Sequence, residues 1–134
     1  MDAKYANAYV GRAGEYRVLS ELLLKGYNPS IRAIDNGIDI ILDNGYTIQV
    51  KTNSQTRKFP LLNFATANYK KGKKEHNSKH LIADFVIVWL INYETFYIIP
   101  AFEISTTMLS LNRLGGKWVN YINRWDILSK GGVK

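Results

Sequence analysis

The sequence predicts an α/β domain, because a helical segment is followed by short strands that are separated by turn-forming residues. Apolar residues recur at helical spacing over residues 3–25. Residues 46–52 alternate with a period of two, and the apolar run at residues 84–91 is typical of a fully buried strand. With 134 residues and 46% hydrophobic content, the chain is expected to form a single domain over residues 1–134.

The first half of the chain is predicted to form a helix and a hairpin. The helix is expected to end at Gly26, because glycine tolerates the left-handed conformation that often follows a helix, and Pro29 prevents continuation. A short strand is expected at residues 30–34. The strands at residues 38–42 and 46–52 are joined so tightly that they must pair as a hairpin.

The second half is predicted to contain a further strand pair and two more helical segments. Residues 84–91 and 96–99 are expected to pair across a turn at residues 92–95. A helix is expected at residues 102–111, a last strand at 118–122 and a closing helical turn at 124–128. Residues 53–80 are left unassigned, apart from a possible strand or turn around Phe59-Pro60-Leu61-Leu62.

Composition limits the classes of function. The chain has no cysteine, which excludes disulfides, thiolate chemistry and cysteine-bound zinc. No apolar run reaches the roughly 18 residues of a membrane span and no signal peptide is recognisable, so an intracellular, cytoplasmic protein is expected. The net charge of +7 is concentrated at residues 70–80, which suits a polyanion such as nucleic acid or, equally, a solvated lysine-rich loop.

Glu15 has the strongest functional signal in the predicted helix. Burying an unpaired carboxylate is costly, so such a residue is expected to have a cation nearby. The alternative is a surface pair with Arg12, three residues earlier. On a helical wheel, Glu15 falls among the apolar or small residues Ala8, Gly11, Val18, Leu19 and Leu22.

The register of the predicted hairpin decides whether Asp39 and Gln49 share a face of the sheet. A two-residue loop at Asn44-Gly45 sets Asp39 against Val50. A three-residue loop, with its glycine in the left-handed conformation, sets Asp39 opposite Gln49 instead. Only the second arrangement forms a site, with Lys51 two residues further along the same face.

These residue types suggest a cation site with oxygen ligands. If the helix packs over the same face, Glu15 approaches Asp39 and Gln49. Hard divalent cations, Mg²⁺ or Mn²⁺, accept such ligands and usually retain waters. Lys51 would orient a water or stabilise developing negative charge, which is the chemistry of phosphodiester hydrolysis.

Three segments in this order, GRAGEYRVLSELLLKGY, GIDIIL and TIQVKT, resemble the PD-(D/E)XK nuclease superfamily, in particular archaeal Holliday junction resolvases and intron-encoded homing endonucleases. The motif-bearing match covers residues 11–52. The later segments DFVIVWL, FYIIP and NRWDIL are similar to the homing-endonuclease group. The resemblance implies a restriction-endonuclease-like mixed central sheet flanked by helices, a divalent metal and hydrolysis of DNA.

The resemblance also implies a role for each site residue. Glu15 matches the helix glutamate of the family, Asp39 the motif aspartate and Lys51 the motif lysine. Gln49 stands where the family usually has an acid, so the chain resembles a QxK variant with lower metal affinity. Glu15, Asp39, Gln49 and the backbone carbonyl of Val50 would bind Mg²⁺ or Mn²⁺.

DNA is the expected partner, and a homodimer is the natural assembly for cutting two strands with one site per chain. The competing functions are a non-catalytic DNA-binding module and a protein-interaction domain with an incidental basic loop. Phosphate contacts are expected from basic residues that position DNA without reading its sequence: Arg12, Arg57, Lys58, Lys70, Lys71, Lys73 and Lys74.

Overall fold

A mixed β-sheet forms the centre of the protein. The computed structural model describes residues 6–34, 36–64, 66–70, 73–77 and 81–129, and of residues 66–70 and 73–77 the backbone. One α-helix, α1 (Ala6–Leu24), lies within these ranges, together with four short 3₁₀ segments at Ile91–Tyr93, Ala101–Glu103, Trp118–Tyr121 and Trp125–Leu128. The strands are β1 (Pro29–Ile31), β2 (Ile40–Leu42), β3 (Thr47–Asn53), β4 (Leu61–Asn63), β5 (Thr66–Lys70), β6 (Lys73–Asn77), β7 (Phe85–Leu90), β8 (Thr95–Pro100) and β9 (Met108–Ser110).

The central sheet has the strand order β1-β2-β3-β7-β8. Its neighbours pair antiparallel except β3 and β7, which pair parallel. Asp84 fixes the start of this parallel pair, because its Oδ2 accepts hydrogen bonds from the backbone N–H of Thr47 at 2.9 Å and from the Thr47 hydroxyl at 3.1 Å. The mixed α/β fold class predicted from the sequence is confirmed.

The two faces of the sheet bury different cores. The first core lies under α1 and is centred on Val18, Leu22, Ile48, Phe85 and Ile87. The second core lies on the opposite face and is centred on Leu62, Phe64, Val86, Val88 and Tyr97. All six residues of β7 are buried, as expected for a strand covered on both faces.

The helix ends where the sequence predicts. Gly26 has φ +88°, and the N–H of Tyr27 donates to the carbonyl of Leu22 at 3.0 Å, which is the Schellman arrangement of a glycine-terminated helix. The predicted range of residues 3–25 therefore agrees with α1 over its described part. No helix in the described residues has the length and apolar character needed to cross a bilayer.

The helix predicted at residues 102–111 is wrong. A 3₁₀ turn at Ala101–Glu103 is followed by β9, which pairs antiparallel with β4. Ser105, Thr106 and Thr107 disfavour a continuous helix, because their side chains compete for backbone hydrogen bonds or lose rotamer freedom in it. Leu109 is buried in the second core between two exposed neighbours, so β9 alternates with the period of a strand.

The strand predicted at residues 118–122 is also wrong. Trp118–Tyr121 forms a 3₁₀ segment, and a single isolated bridge joins Tyr97 to Ile122 within the described chain. The rings of Trp118 and Tyr121 lie 6.1 Å apart, since residues three apart are stacked in a 3₁₀ helix. The predicted closing turn is confirmed as the 3₁₀ segment Trp125–Leu128.

The segment left unassigned by sequence contains β4, which pairs with β9, and the β5–β6 hairpin. Leu61 and Leu62 lie in β4, so the possible strand near Pro60 is present. The lysine-rich stretch forms the β5–β6 hairpin, in which Lys70 pairs with Lys73 and Tyr69 with Lys74. Lys71 lies outside the described residues, as do the side chains of Lys70, Lys73 and Lys74.

Candidate active site

The β2–β3 hairpin has the register of the three-residue loop. Ile40 pairs with Ile48 and Ile41 with Thr47, and the regular ladder ends there, because the N–H of Asp39 donates to the carbonyl of Ile48 at 2.8 Å. The turn preceding Tyr46 contains Gly45 at φ +93°, a conformation that favours glycine. The three-residue loop is therefore present, and Asp39 bonds to Ile48 and Val50 rather than pairing with Gln49 in the ladder.

Asp39 lies just before the start of β2 and is 4% exposed. Its Oδ2 accepts the backbone N–H of Val50 at 2.7 Å. The strand β2 begins at Ile40, one residue after Asp39. The Asp39 carboxylate therefore accepts the Val50 N–H in the place of a further residue of β2. The bond orients the carboxylate at the point where the two strands separate.

Gln49 and Lys51 lie on the face of the sheet that bears the second core. Their parallel partners in β7 are Val86 and Val88, both in that core. The Lys51 ammonium lies 5.6 Å from the centre of the Phe64 ring, a cation–π distance. The alternation of β3 thus points Lys51 away from the helix.

The condition that α1 packs over the face of Gln49 and Lys51 is not met. Val18 and Leu22 of α1 pack with Ile48, whose side chain points to the opposite face of β3. The sequence fixes which residues share a face but not which face the helix covers, since that depends on how the chain crosses the sheet. Any approach of Glu15 must therefore pass around the edge of β3.

Glu15 lies at the border of the buried helical face. That face is centred on Gly14, Val18 and Leu22, while the Glu15 side chain is 15% exposed. Its Oε1 lies 3.7 Å from Nη1 of Arg12, so the ion pair that was the alternative interpretation is present. The carboxylate nevertheless remains mostly shielded from solvent, unlike the half-exposed Arg12 side chain.

The flank of α1 that carries Glu15 can be assigned from Arg17. The Arg17 guanidinium lies 4.9 Å from the centre of the Trp89 ring and donates to Glu94 Oε2 at 2.9 Å, so this flank faces β7 and β8. The bond to Glu94 raises the pKa of Arg17 and keeps it charged. Glu15 is about 200° further round the helix and therefore faces the β2 side of β3.

A close approach of α1 to β3 holds Glu15 beside the unpaired edge of that strand. A Cβ atom on Gly14 would overlap Thr52 Oγ1 and would lie 2.8 Å from Thr52 Cβ. Glu15 directly follows this contact, and β3 beyond Gln49 has no partner in the described part of β2. The contact of Gly14 with Thr52 thus places the helical turn that carries Glu15 beside β3.

The available donors suit an oxygen-ligated cation. Asp39 and Glu15 supply carboxylates and Gln49 supplies an amide oxygen, which match the preferences of Mg²⁺ and Mn²⁺. The residues that the structure describes contain no group of three or more His, Cys, Asp or Glu side chains that could hold a metal.

The exposed loop after β3 carries Arg57 and Lys58. Tyr93 anchors this loop, because its hydroxyl donates to the carbonyl of Arg57 at 2.6 Å and also lies 3.0 Å from the carbonyl oxygen of Thr56. The Arg113 guanidinium stacks 3.7 Å from the centre of the Tyr93 ring. The loop that carries Arg57 and Lys58 is therefore held in place by Tyr93.

Sequence reasoning missed the residues that anchor the loop. Asn92 donates to the carbonyls of Ser54 and Gln55, and Gln55 in turn bonds to the backbone of Leu61. Asn92 and Tyr93 were interpreted as a simple turn between strands. Local sequence carries no signal for these contacts, because the partners are more than 35 positions apart.

The elements described above form an α/β fold with a mixed central sheet. Among solved structures, the chain is similar to that of a bacterial homing endonuclease, I-Ssp6803I, with a TM-score of 0.76 and 15% sequence identity. The similarity covers 98% of this chain and 96% of the other. No family model and no curated protein matches the chain. The likeness accordingly establishes the fold.

Proposed function

We propose that the protein is a divalent-metal-dependent DNA endonuclease that hydrolyses phosphodiester bonds. The observation that supports this proposal is the hydrogen bond from Val50 N–H to Asp39 Oδ2, which holds a buried carboxylate against β3 at the residue between Gln49 and Lys51. It occurs within the fold of a homing endonuclease, which favours cleavage of a specific DNA duplex over a four-way junction. The sequence resemblance to the PD-(D/E)XK superfamily supports the same chemistry.

The proposed metal site uses oxygen donors around the edge of β3. Glu15, Asp39, Gln49 and the carbonyl of Val50 would hold Mg²⁺ or Mn²⁺. A bound ion of this kind supplies Lewis acidity to a phosphate and lowers the pKa of a coordinated water. The Asp39 carboxylate is already oriented by the hydrogen bond that it accepts from Val50 N–H, so it would need to move little when the ion binds.

Lys51 supplies the positive charge in this proposal. Its ammonium is held over Phe64 at the surface of the second core, where the low dielectric strengthens its interaction with an anion. It would stabilise the negative charge that develops on the phosphate, or hold the attacking water by a hydrogen bond. Arg57 and Lys58, on the anchored loop, would bind the flanking phosphates.

Cleavage assays with a matched variant test the proposal. Supercoiled plasmid, a randomised duplex pool and a labelled four-way junction are each incubated with Mg²⁺, Mn²⁺ or EDTA. Wild type is expected to cut a duplex site with either metal and not with EDTA, and Lys51→Ala is expected to bind the same DNA without cutting it. Preferential cutting of the junction would instead assign a resolvase-like substrate.

A non-catalytic DNA-binding module is the second candidate, and Gln49 is the observation that favours it. An amide in place of an acid removes one negative charge from the site and weakens its hold on a cation. If wild type and Lys51→Ala both bind DNA and neither cuts any of the three substrates with Mn²⁺, the non-catalytic function is correct.

Gln49→Glu is expected to raise Mn²⁺ affinity by about tenfold, because a carboxylate adds a charge to the ligand set without changing its length. Calorimetric titration of Mn²⁺ into the protein measures this. Ser110→Glu is the control that adds the same charge elsewhere, since Ser110 is an exposed residue of β9 outside the proposed metal site and should leave Mn²⁺ affinity unchanged. Equal affinities for wild type and Gln49→Glu would remove position 49 from the metal site.

Arg57→Ala and Lys58→Ala are each expected to weaken DNA binding to a similar extent on all sequences. Each change should lower the slope of log affinity against log salt by about 0.9, because one phosphate contact is lost. Lys117→Ala is a suitable control, since Lys117 pairs with Glu103 on a different surface segment. Fluorescence anisotropy at several salt concentrations measures the slopes, and identical slopes would exclude the loop from the DNA interface.

The proposed activity also predicts a homodimer. One chain offers one site, and a duplex has two strands to cut, so a two-fold pair of chains is the simplest assembly that cuts both.

A further inference from the structure

Arg113 carries a guanidinium that has no acidic partner in the described residues. The side chain is half-buried, and its Nε is buried without a hydrogen bond to any of those residues. A guanidinium stays charged and can only donate hydrogen bonds, so a buried N–H that lacks an acceptor is costly. Arg12, Arg17 and Arg124, by contrast, each pair with a carboxylate. Arg113 is therefore a charged donor group that can accept an anion as its partner.

The position of this guanidinium is fixed by its neighbours. Leu111, two residues earlier, is buried in the second core, and its N–H donates to the carbonyl of Pro60 at 3.0 Å. The guanidinium itself stacks 3.7 Å from the centre of the Tyr93 ring. Tyr93 also holds the loop that carries Arg57, because its hydroxyl donates to the Arg57 carbonyl. An arginine held in this way loses little side-chain entropy when it binds a ligand.

The hydroxyl of Tyr97 is a second donor without a partner. Tyr97 is fully buried in the second core, and its hydroxyl makes no hydrogen bond to the described residues. Burial raises the pKa of this hydroxyl and the charge of Arg113 opposes that rise, so the guanidinium lies close to a hydroxyl that keeps its proton. Two neighbouring donors that lack acceptors are satisfied together by one group with several acceptor oxygens, such as a phosphate.

The Tyr97 side chain lies on the same face of the sheet as Lys51. Lys51 pairs with Val88 in β7, and Val88 pairs with Tyr97 in β8. The three residues form one row across the sheet, so the Cα atoms of Lys51 and Tyr97 are two strand spacings, or about 10 Å, apart. An anion held by Arg113 beside Tyr97 would therefore lie along the same surface as a phosphate beside Lys51.

We propose that Arg113 and the Tyr97 hydroxyl bind one backbone phosphate of DNA, separate from the phosphate that Lys51 contacts. The ligand is part of a polyanion, because Lys51, the loop of Arg57 and this site follow one surface of a chain whose net charge is +7. The bound phosphate positions the DNA strand and takes no part in the bond that is broken. The inference rests on the DNA partner of the proposed function, and it holds whether or not the protein cuts DNA.

DNA binding by Arg113→Gln tests the charge. Fluorescence anisotropy follows the binding of a labelled duplex at several salt concentrations, in EDTA to prevent metal-dependent cleavage. Arg113→Gln should raise Kd by about tenfold or more, since a hydrogen-bonded charge is lost, and should lower the slope of log affinity against log salt by about 0.9. Arg124→Gln is the matched control, because Arg124 is already paired with Asp126 and its loss should change neither quantity.

Two milder variants separate a phosphate contact from a structural role. Tyr97→Phe keeps the buried ring and removes only the hydroxyl, so it should raise Kd by about threefold and leave the salt slope unchanged. Arg113→Lys keeps the charge and therefore the slope, but it loses the planar donor fork, so affinity should still fall. A loss of affinity and slope together in both variants, in step with lower stability in urea, would show a structural role and overturn the proposal.

The outcomes separate this proposal from the proposed cleavage. If wild type binds DNA and Arg113→Gln keeps the wild-type affinity and slope, the phosphate site is wrong and cleavage is untouched. If Arg113→Gln loses affinity as expected while wild type cuts no DNA with Mn²⁺, cleavage is wrong and the phosphate site stands. Calorimetric titration of inorganic phosphate tests for a small anion. Binding that Arg113→Gln abolishes, with DNA affinity unchanged in that variant, would assign the site to free phosphate and overturn the proposal.

Discussion

Asp39→Asn should reduce DNA cleavage by at least about a hundredfold while leaving the protein folded. The asparagine keeps an oxygen that can accept the N–H of Val50, so the strand contact is preserved. It removes the negative charge that would hold the cation, and with it the stabilisation of the reacting phosphate. Single-turnover cleavage at saturating DNA measures the loss, and Mn²⁺ titration should show a parallel fall in metal affinity.

Asp84→Asn provides a control of the same chemistry. Asp84 also accepts hydrogen bonds from β3, at Thr47 rather than Val50, and it is exposed at the opposite end of the strand. This variant should cut DNA at the wild-type rate. If both variants lose cleavage equally, the carboxylates act through the stability of β3 and Asp39 is not a metal ligand.

Gly14→Ala should destabilise the protein by about 1–3 kcal/mol, the cost typical of forcing an extra group into a packed interface. Its Cβ would lie 2.8 Å from Thr52 Cβ and would overlap the Thr52 hydroxyl, so α1 must move away from β3. This cost outweighs the gain of up to about 1 kcal/mol that alanine brings to a helix. Because Glu15 is the next residue, cleavage should fall as well.

Gly11→Ala is the matched control for this substitution. A Cβ on Gly11 meets no atom within 4 Å, so the change should stabilise the protein by up to about 1 kcal/mol. Urea unfolding of both variants measures the difference. Destabilisation of similar size at both positions would mean that the helix backbone, and not the contact with Thr52, is responsible.

Thr52→Ala separates the two atoms of this contact. The Thr52 hydroxyl is buried and has no hydrogen-bond partner among the described residues, so its removal alone should cost little. Combined with Gly14→Ala, it should restore part of the lost stability, because the hydroxyl overlap is relieved while the Cβ contact remains. No recovery in the double variant would exclude Thr52 as the origin of the strain.

The parts of the fold that were predictable from sequence are those decided by neighbouring residues. Gly26 ends the helix because its own backbone conformation permits it, and Asp43-Asn44-Gly45 sets the hairpin register within a few positions. The buried β7 and its partner β8 follow from continuous apolar runs. Of the site, this local information was enough to predict the loop that brings Asp39 beside β3, where its side chain bonds to Val50.

The parts that sequence could not predict depend on contacts between distant residues. The strand β9 exists because Leu109 inserts into the second core beside β4, which a helical pattern at residues 102–111 does not reveal. The packing of α1 on the face opposite Lys51 follows from the path of the chain across the sheet. The side chains of β3 would alternate in the same way whichever face α1 covered, so the sequence pattern did not indicate that α1 packs on the face opposite Lys51.

The parallel pairing of β3 with β7 has a consequence for how the protein can diverge. The intervening chain leaves and re-enters the sheet at adjacent strands, and the bonds between Asp84 and Thr47 hold the point of return. Doubling the length of such an excursion costs only about 0.6 kcal/mol in closure entropy. The β5–β6 hairpin can therefore be lengthened, shortened or exchanged during evolution at little cost, while the central sheet remains unaltered.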